Sequence, residues 1–123
     1  MPTIPLIFFN VESVRIFLIK EGFVYTLRQD RSVGIARAVT GAYRCHKQFA
    51  SVDVKKEIDK PVTDPLELRR YFPMSGWKNI KRESLAEWFN FAKKIHNGAP
   101  LFLYKVTKIR ETKQKTLGSG YDY

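Results

Sequence analysis

The chain is 123 residues long, 44% hydrophobic and 14% aromatic, which is enough to bury one core and leaves little room for a second domain. Lys and Arg total 22 against 12 acidic residues, a formal net charge of +10 that opposes compaction and favours a polyanionic partner over an idle solvated surface. A single cysteine, Cys45, excludes an internal disulfide and a multi-cysteine zinc site, and the two histidines, His46 and His96, complete no metal-ligand set. No stretch approaches membrane-spanning length, and Met1-Pro2-Thr3-Ile4-Pro5 lacks the basic region and cleavage signal of a secretory peptide. The expectation is a cytoplasmic protein with no metal, no cofactor and no membrane partner, a monomer or weak oligomer.

In chain order, Ile4 to Phe9 is a short apolar run after proline and reads as a buried strand. Asn10 is placed to cap a helix, with Glu12 in its first turn where a negative charge complements the dipole. Val11, Val14, Phe17 and Leu18 share one helical face, so the helix runs from Val11 to about Glu21 and stops at Gly22, which tolerates the left-handed conformation that ends helices. Phe23, Tyr25 and Leu27 then keep a period of two, placing Val24, Thr26 and Arg28 on the other face of a strand. A hydroxyl and a guanidinium thus emerge side by side just past a helix–strand corner, a common setting for a ligand cleft.

Gln29 to Gly34 is polar and reads as a loop. Ile35 to Thr40 has strand character that Gly41 breaks, and Tyr43 to Ile58 resumes as a long strand or a bulged pair. There Ala50, Val52, Val54 and Ile58 oppose Ser51, Asp53, Lys55 and Glu57, the pattern of a strand with one wet face. From Arg28 to Lys47 five basic residues (Arg28, Arg31, Arg37, Arg44, Lys47) meet one acidic residue, Asp30. Asp64-Pro65 with Glu67 forms a capping box for a short helix, and Ser84-Leu85-Ala86-Glu87 forms a second. The helix that follows presents Leu85, Trp88, Phe89, Ala92 and Ile95 as a continuous apolar face and stops at Asn97-Gly98. Pro100 to Ile109 is apolar on both parities, as a central strand is, and the residues after Arg110 (111–123) read as a flexible basic tail to a single domain spanning 1–110. The order predicts an α+β domain: a small, mostly antiparallel barrel of five to six strands with helices packed on one side.

Three pieces of the chain then look like the ASCH family of the PUA-like superfamily, over roughly residues 4 to 109. They are Ile4 to Phe9 with a helix ending at Gly22; the strand Val24-Tyr25-Thr26-Leu27-Arg28; and the unit from Glu83-Ser84-Leu85-Ala86-Glu87-Trp88 through Asn97-Gly98 to Leu101-Phe102-Leu103-Tyr104-Lys105-Val106. Ser75-Gly76-Trp77 is similar to the family's small-Gly-aromatic turn. The family's G-x-K-x-x-E-x-R signature is met here only at Gly22 and Arg28, with one residue fewer between them; Phe23 or Val24 stands where the lysine belongs and Thr26 where the glutamate belongs. Family members that are hydrolases use a lysine, a threonine and a glutamate. By this resemblance Thr26 corresponds to the threonine, Lys20 lies one helical turn early, and Lys81 and Arg82 occupy the loop that would hold a carboxylate.

A lysine base must sit within hydrogen-bond reach of the hydroxyl it activates, and sequence does not place Lys20 there. Enzymatic activity is therefore not indicated, although a small hydrolase acting on a modified nucleoside or on RNA through Lys20 and Thr26 is the alternative. The binding reading draws on more residues. Arginine makes bidentate contacts to phosphate or a base edge, and exposed aromatics stack on unpaired bases. Arg28 is the centre of the expected cleft, with Lys20 at its rim, Tyr43, Arg44 and Lys47 extending a basic wall, and Trp77 with Lys78 closing the top. The competing reading makes Tyr43 and Trp77 core aromatics, and for Trp77 the two readings weigh equally. The function expected is RNA binding: the resemblance supplies the preference for RNA, and charge supplies only a polyanion.

Overall fold

The computed structural model describes residues 4–77 and 84–112. Its elements are β1 (Leu6–Phe8), α1 (Glu12–Glu21), β2 (Phe23–Gln29), β3 (Gly34–Ala42), β4 (Cys45–Lys56), α2 (Ser84–Ile95) and β5 (Leu101–Glu111), with 3-10 turns at Pro65–Leu68 and Phe72–Met74. The five strands form one sheet in the order β1-β3-β4-β5-β2. β1 runs parallel to β3, and every other pairing is antiparallel. The sheet curls into a half-barrel whose two edges, β1 and β2, are joined in sequence by α1.

The barrel expected from sequence is thus open at one seam, and its helices are not on one side. The reason lies in β5, which is apolar on both parities, and in β2, which is buried on both faces. Val24, Tyr104 and Val106 turn into a cluster with Ile7, Phe9, Ala38, Val52 and Val54, while Tyr25, Leu27, Leu101 and Leu103 turn into another with Leu68, Trp88 and Phe89. A sheet with two apolar faces needs two covers. α1 supplies one through Leu18, with Val14 and Phe17 packed beside it, and α2 supplies the other.

The helix–strand corner follows the expected chemistry. Gly22 takes φ +86° and its N–H donates to the Leu18 carbonyl, closing α1 one residue before β2 begins. The opposite end does not. α1 starts at Glu12 with Val11 at the cap position and no side-chain cap, because Asn10 is engaged elsewhere. Its Oδ1 accepts from the Gly41 N–H (2.8 Å) and the Thr40 hydroxyl (3.0 Å), and its Nδ2 donates to the Gly41 carbonyl at 3.0 Å. Arg15 adds a bond from its guanidinium to the Phe9 carbonyl at 2.9 Å. Asn10 therefore staples the β1–α1 turn to the end of β3, where a backbone-like bidentate contact gains more than one capped N–H. Asn10→Ala is expected to lower stability by about 1–2 kcal/mol, read as a shifted urea midpoint at unchanged slope; an unmoved midpoint would show that the staple is not holding the turn.

Other local expectations are met with adjustments. Asp64 caps its turn by accepting from the Leu66 N–H at 3.0 Å, but the turn is 3-10 rather than α. β3 runs through Gly41 to Ala42 instead of breaking there, and β5 continues through Arg110 to Glu111. The capping contact expected of Ser84, the placement of Lys78, Lys81 and Arg82, and the tail from residue 113 lie outside the described residues. Among the described residues no helix is long and apolar enough to cross a membrane, and no cluster of three or more His, Cys, Asp or Glu side chains is placed to hold a metal ion.

Candidate functional site at the open seam of the sheet

Where the sheet fails to close, a cavity of about 290 Å³ remains, at the small end of ligand pockets. Both sheet edges reach it: Phe8 and Phe9 at the end of β1, and Thr26, Leu27 and Arg28 on β2. α1 contributes Val11 and Val14, the turn after Phe72–Met74 contributes Ser75 and Trp77, and α2 contributes Trp88, Phe91, Ala92 and Ile95, with His96 just beyond its end. Trp77 and Phe91 stand with ring centroids 5.2 Å apart. Trp77 serves both readings the sequence left open, since it packs against the α2 core and also lines the cavity.

The polar centre is Arg28. Its Nε donates to the Thr26 hydroxyl at 3.1 Å, and its guanidinium carbon lies 4.8 Å from the centroid of the Phe9 ring. Among the described residues its two Nη groups have no hydrogen-bond partner and no carboxylate forms an ion pair with it. No Asp, Glu or Lys side chain lines the cavity in that set. Loss of hydration lowers the Arg28 pKa to about 10, and the charge of Arg31 adds to the effect. The Arg28 guanidinium thus stands in the cavity wall unneutralised by any described carboxylate.

His96 is the second titratable group in the cavity wall, and sequence reasoning passed it over as a failed metal ligand. Its Nδ1 lies 3.1 Å from Gln29 Oε1. Burial, and then the nearby Arg28 charge, lower its pKa below 6.5. With the folded value depressed, the unfolded chain takes the proton first on acidification. Stability is therefore untouched above the ordinary pKa of 6.5 and falls as pH drops from there toward the folded value. His96→Gln is expected to remove that loss. Urea midpoints of both proteins at about pH 7.5 and about pH 5.5 test this, and an equal acid-side fall in both would count against it.

The other expected site residues divide into two groups. Tyr43 is 79% exposed, and Arg44 and Lys47 are exposed beside it, on the β3–β4 hairpin and outside the cavity. That hairpin is nevertheless attached to the cavity wall: Asn10 bonds to Gly41, and the Phe8 ring meets the His46 ring edge-on at 6.0 Å. Lys20 is exposed in the last turn of α1, whereas the cavity meets the first turn, at Val11 and Val14. Thr26 and Lys20 are not brought together there, and the Thr26 hydroxyl is occupied by Arg28. No protein-family model, curated protein or solved structure matches the chain.

Proposed function

We propose that the chain is a PUA-like domain of the ASCH type that binds single-stranded RNA by taking one unpaired nucleotide into the seam cavity. The observation that carries this reading is Arg28: a half-buried guanidinium with both Nη groups unpaired among the described residues, in a cavity walled by aromatic rings. Phosphate supplies the charge that guanidinium lacks, and a base supplies the planar surface that Trp77 and Phe91 can sandwich or stack upon. The net charge of +10 and the exposed Arg44 and Lys47 on the adjoining hairpin extend the positive surface along which the flanking backbone would run. The curled five-stranded sheet with α1 at its seam is compatible with the resemblance, which is what directs the choice of RNA among polyanions.

The test is binding of short single-stranded RNA as a function of salt, by fluorescence anisotropy, with the same samples resolved for cleavage products. Engagement of Arg28, Arg44 and Lys47 with phosphates predicts a slope of log K against log salt of about −2 for a single strand. Arg28→Ala is expected to remove most of the affinity while the far-UV spectrum is unchanged. Salt-insensitive turnover of small nucleosides without RNA affinity would instead move the hydrolase alternative to the front.

A further inference from the structure

The seam leaves more than a gap between side chains; it leaves two strand edges whose main-chain groups are turned toward it. On β2 the parity is set by the bond from the Lys108 N–H to the Gly22 carbonyl at 2.8 Å. With Val24 opposite Val106 and Thr26 opposite Tyr104, the residues that exchange hydrogen bonds with β5 are Val24, Thr26 and Arg28. Tyr25 and Leu27 therefore direct their N–H and C=O groups away from β5. On β1, the bonds from Arg37 N–H to the Pro5 carbonyl and from Phe9 N–H to the Val39 carbonyl, 2.9 and 2.8 Å, place Phe8 in the same position: its main-chain groups face away from β3.

Leu27 and Phe8 both line the cavity, and Leu27 is only 3% exposed. Among the described residues no hydrogen bond reaches the outward N–H or C=O of either one. Main-chain donors and acceptors on a strand edge with no protein partner are left to water or to a ligand that can replace it. Here they are concentrated on the two strand edges that flank one cavity, next in sequence to an unneutralised guanidinium.

Resting on the RNA reading above, we propose that the base of the captured nucleotide docks by its own hydrogen-bonding edge against these strand edges, Leu27 foremost, while Arg28 holds the phosphate. A strand residue offers one donor and one acceptor side by side. Each of the four bases carries an adjacent donor and acceptor on the edge it uses for pairing, and proteins read that edge once a base is unstacked. The site therefore demands a base whose pairing edge is free and unblocked, and it is indifferent to which base provides it. Selectivity is for unpaired RNA, not for sequence.

Five-nucleotide oligomers of uridine, 3-methyluridine, 5-methyluridine, cytidine and adenosine, measured by anisotropy against the full chain, test the proposal. The methyl group at ring position 3 removes the donor of the pairing edge, whereas the one at position 5 adds the same bulk and leaves that edge intact. The expected result is about tenfold or greater weakening for 3-methyluridine, with the other four oligomers within about threefold of one another. If 3-methyluridine binds as tightly as uridine and Arg28→Ala still abolishes both, the base is held by stacking alone; the edge proposal falls and the RNA reading survives. A strong preference for one unmodified base overturns the proposal as well. If unmodified oligouridine does not bind at all, the RNA reading itself falls and takes this inference with it.

Discussion

Replacing Arg28 with methionine is expected to raise the stability of the free protein while weakening single-stranded RNA binding by about thirtyfold or more. The two effects share one cause. In the free protein the half-buried guanidinium has lost part of its hydration without gaining a counter-charge from any described residue, and among those residues its returns are the Thr26 hydroxyl and the Phe9 ring. An unbranched apolar side chain of similar length removes that cost and keeps the contact with Phe9, a change expected to stabilise by up to about 1 kcal/mol once residual hydration is allowed for. When an anion occupies the cavity the same guanidinium becomes half of a desolvated, hydrogen-bonded pair, and truncating such a pair costs about 2–5 kcal/mol of binding free energy. Arg28→Lys separates charge from shape: it keeps the cation and loses the planar fork, so its affinity is expected to fall between wild type and methionine. Thermal melts and anisotropy titrations on the three proteins decide the matter. A methionine variant that loses stability and affinity together would make Arg28 a structural residue whose binding effect is secondary.

What could be read in the sequence was whatever is written locally. Gly22 after a helical face, the period of two in Phe23, Tyr25 and Leu27, and the double-sided apolar run of β5 are each contained within about a dozen residues, and each appears as expected. The open seam was not legible, because it depends on which strands end up as edges. Nothing near Leu6 or Phe23 states that β1 pairs only with β3 and β2 only with β5. Asn10 was misplaced for a related reason. A capping pattern is a local signal, and the competing partners, Thr40 and Gly41, lie about thirty residues away.

His96 is the instructive omission at the site. Its contact, Gln29, is 67 residues distant, so the pairing is topological. Yet a signal existed in the helix itself: Trp88, Ala92 and His96 recur at every fourth position, which places the imidazole on the same stripe as two buried residues. A histidine at the end of an apolar stripe is a group the fold has placed at the margin of the core. Lys20 illustrates the reverse case. Proximity in sequence to Arg28 suggested a shared cleft, but the reversal at Gly22 leaves Lys20 at the far end of α1 from the cavity.

In the turn that carries Trp77, a single added methyl group is expected to cost the domain much of its stability. Gly76 has φ +75°, and a Cβ built there would lie 2.7 Å from Val14 Cα, 3.0 Å from Phe17 Cβ and 3.2 Å from the Ser13 carbonyl oxygen. Two of those atoms belong to the backbone of α1 and cannot swing aside. The turn cannot retreat easily either, because the Ser75 hydroxyl donates to the Phe72 carbonyl at 2.7 Å and accepts from the Trp77 N–H at 3.1 Å. Gly76→Ala is therefore expected to cost about 2–4 kcal/mol, the left-handed backbone penalty added to overpacking against a helix. For a domain of this size that is a fall in Tm of roughly 10 °C. Gly22→Ala is the control: φ there is +86°, but the space around it is open, so only the backbone penalty of about 1–2 kcal/mol applies. The difference between the two variants measures how tightly the turn is seated on α1, and with it how firmly Trp77 is held over the cavity. Tryptophan emission should shift to the red in Gly76→Ala and stay in place in Gly22→Ala, and RNA affinity should follow the emission, not the melting temperature. Equal costs in the two variants would mean that the turn yields freely, and that the aromatic wall opposite Arg28 is not preformed.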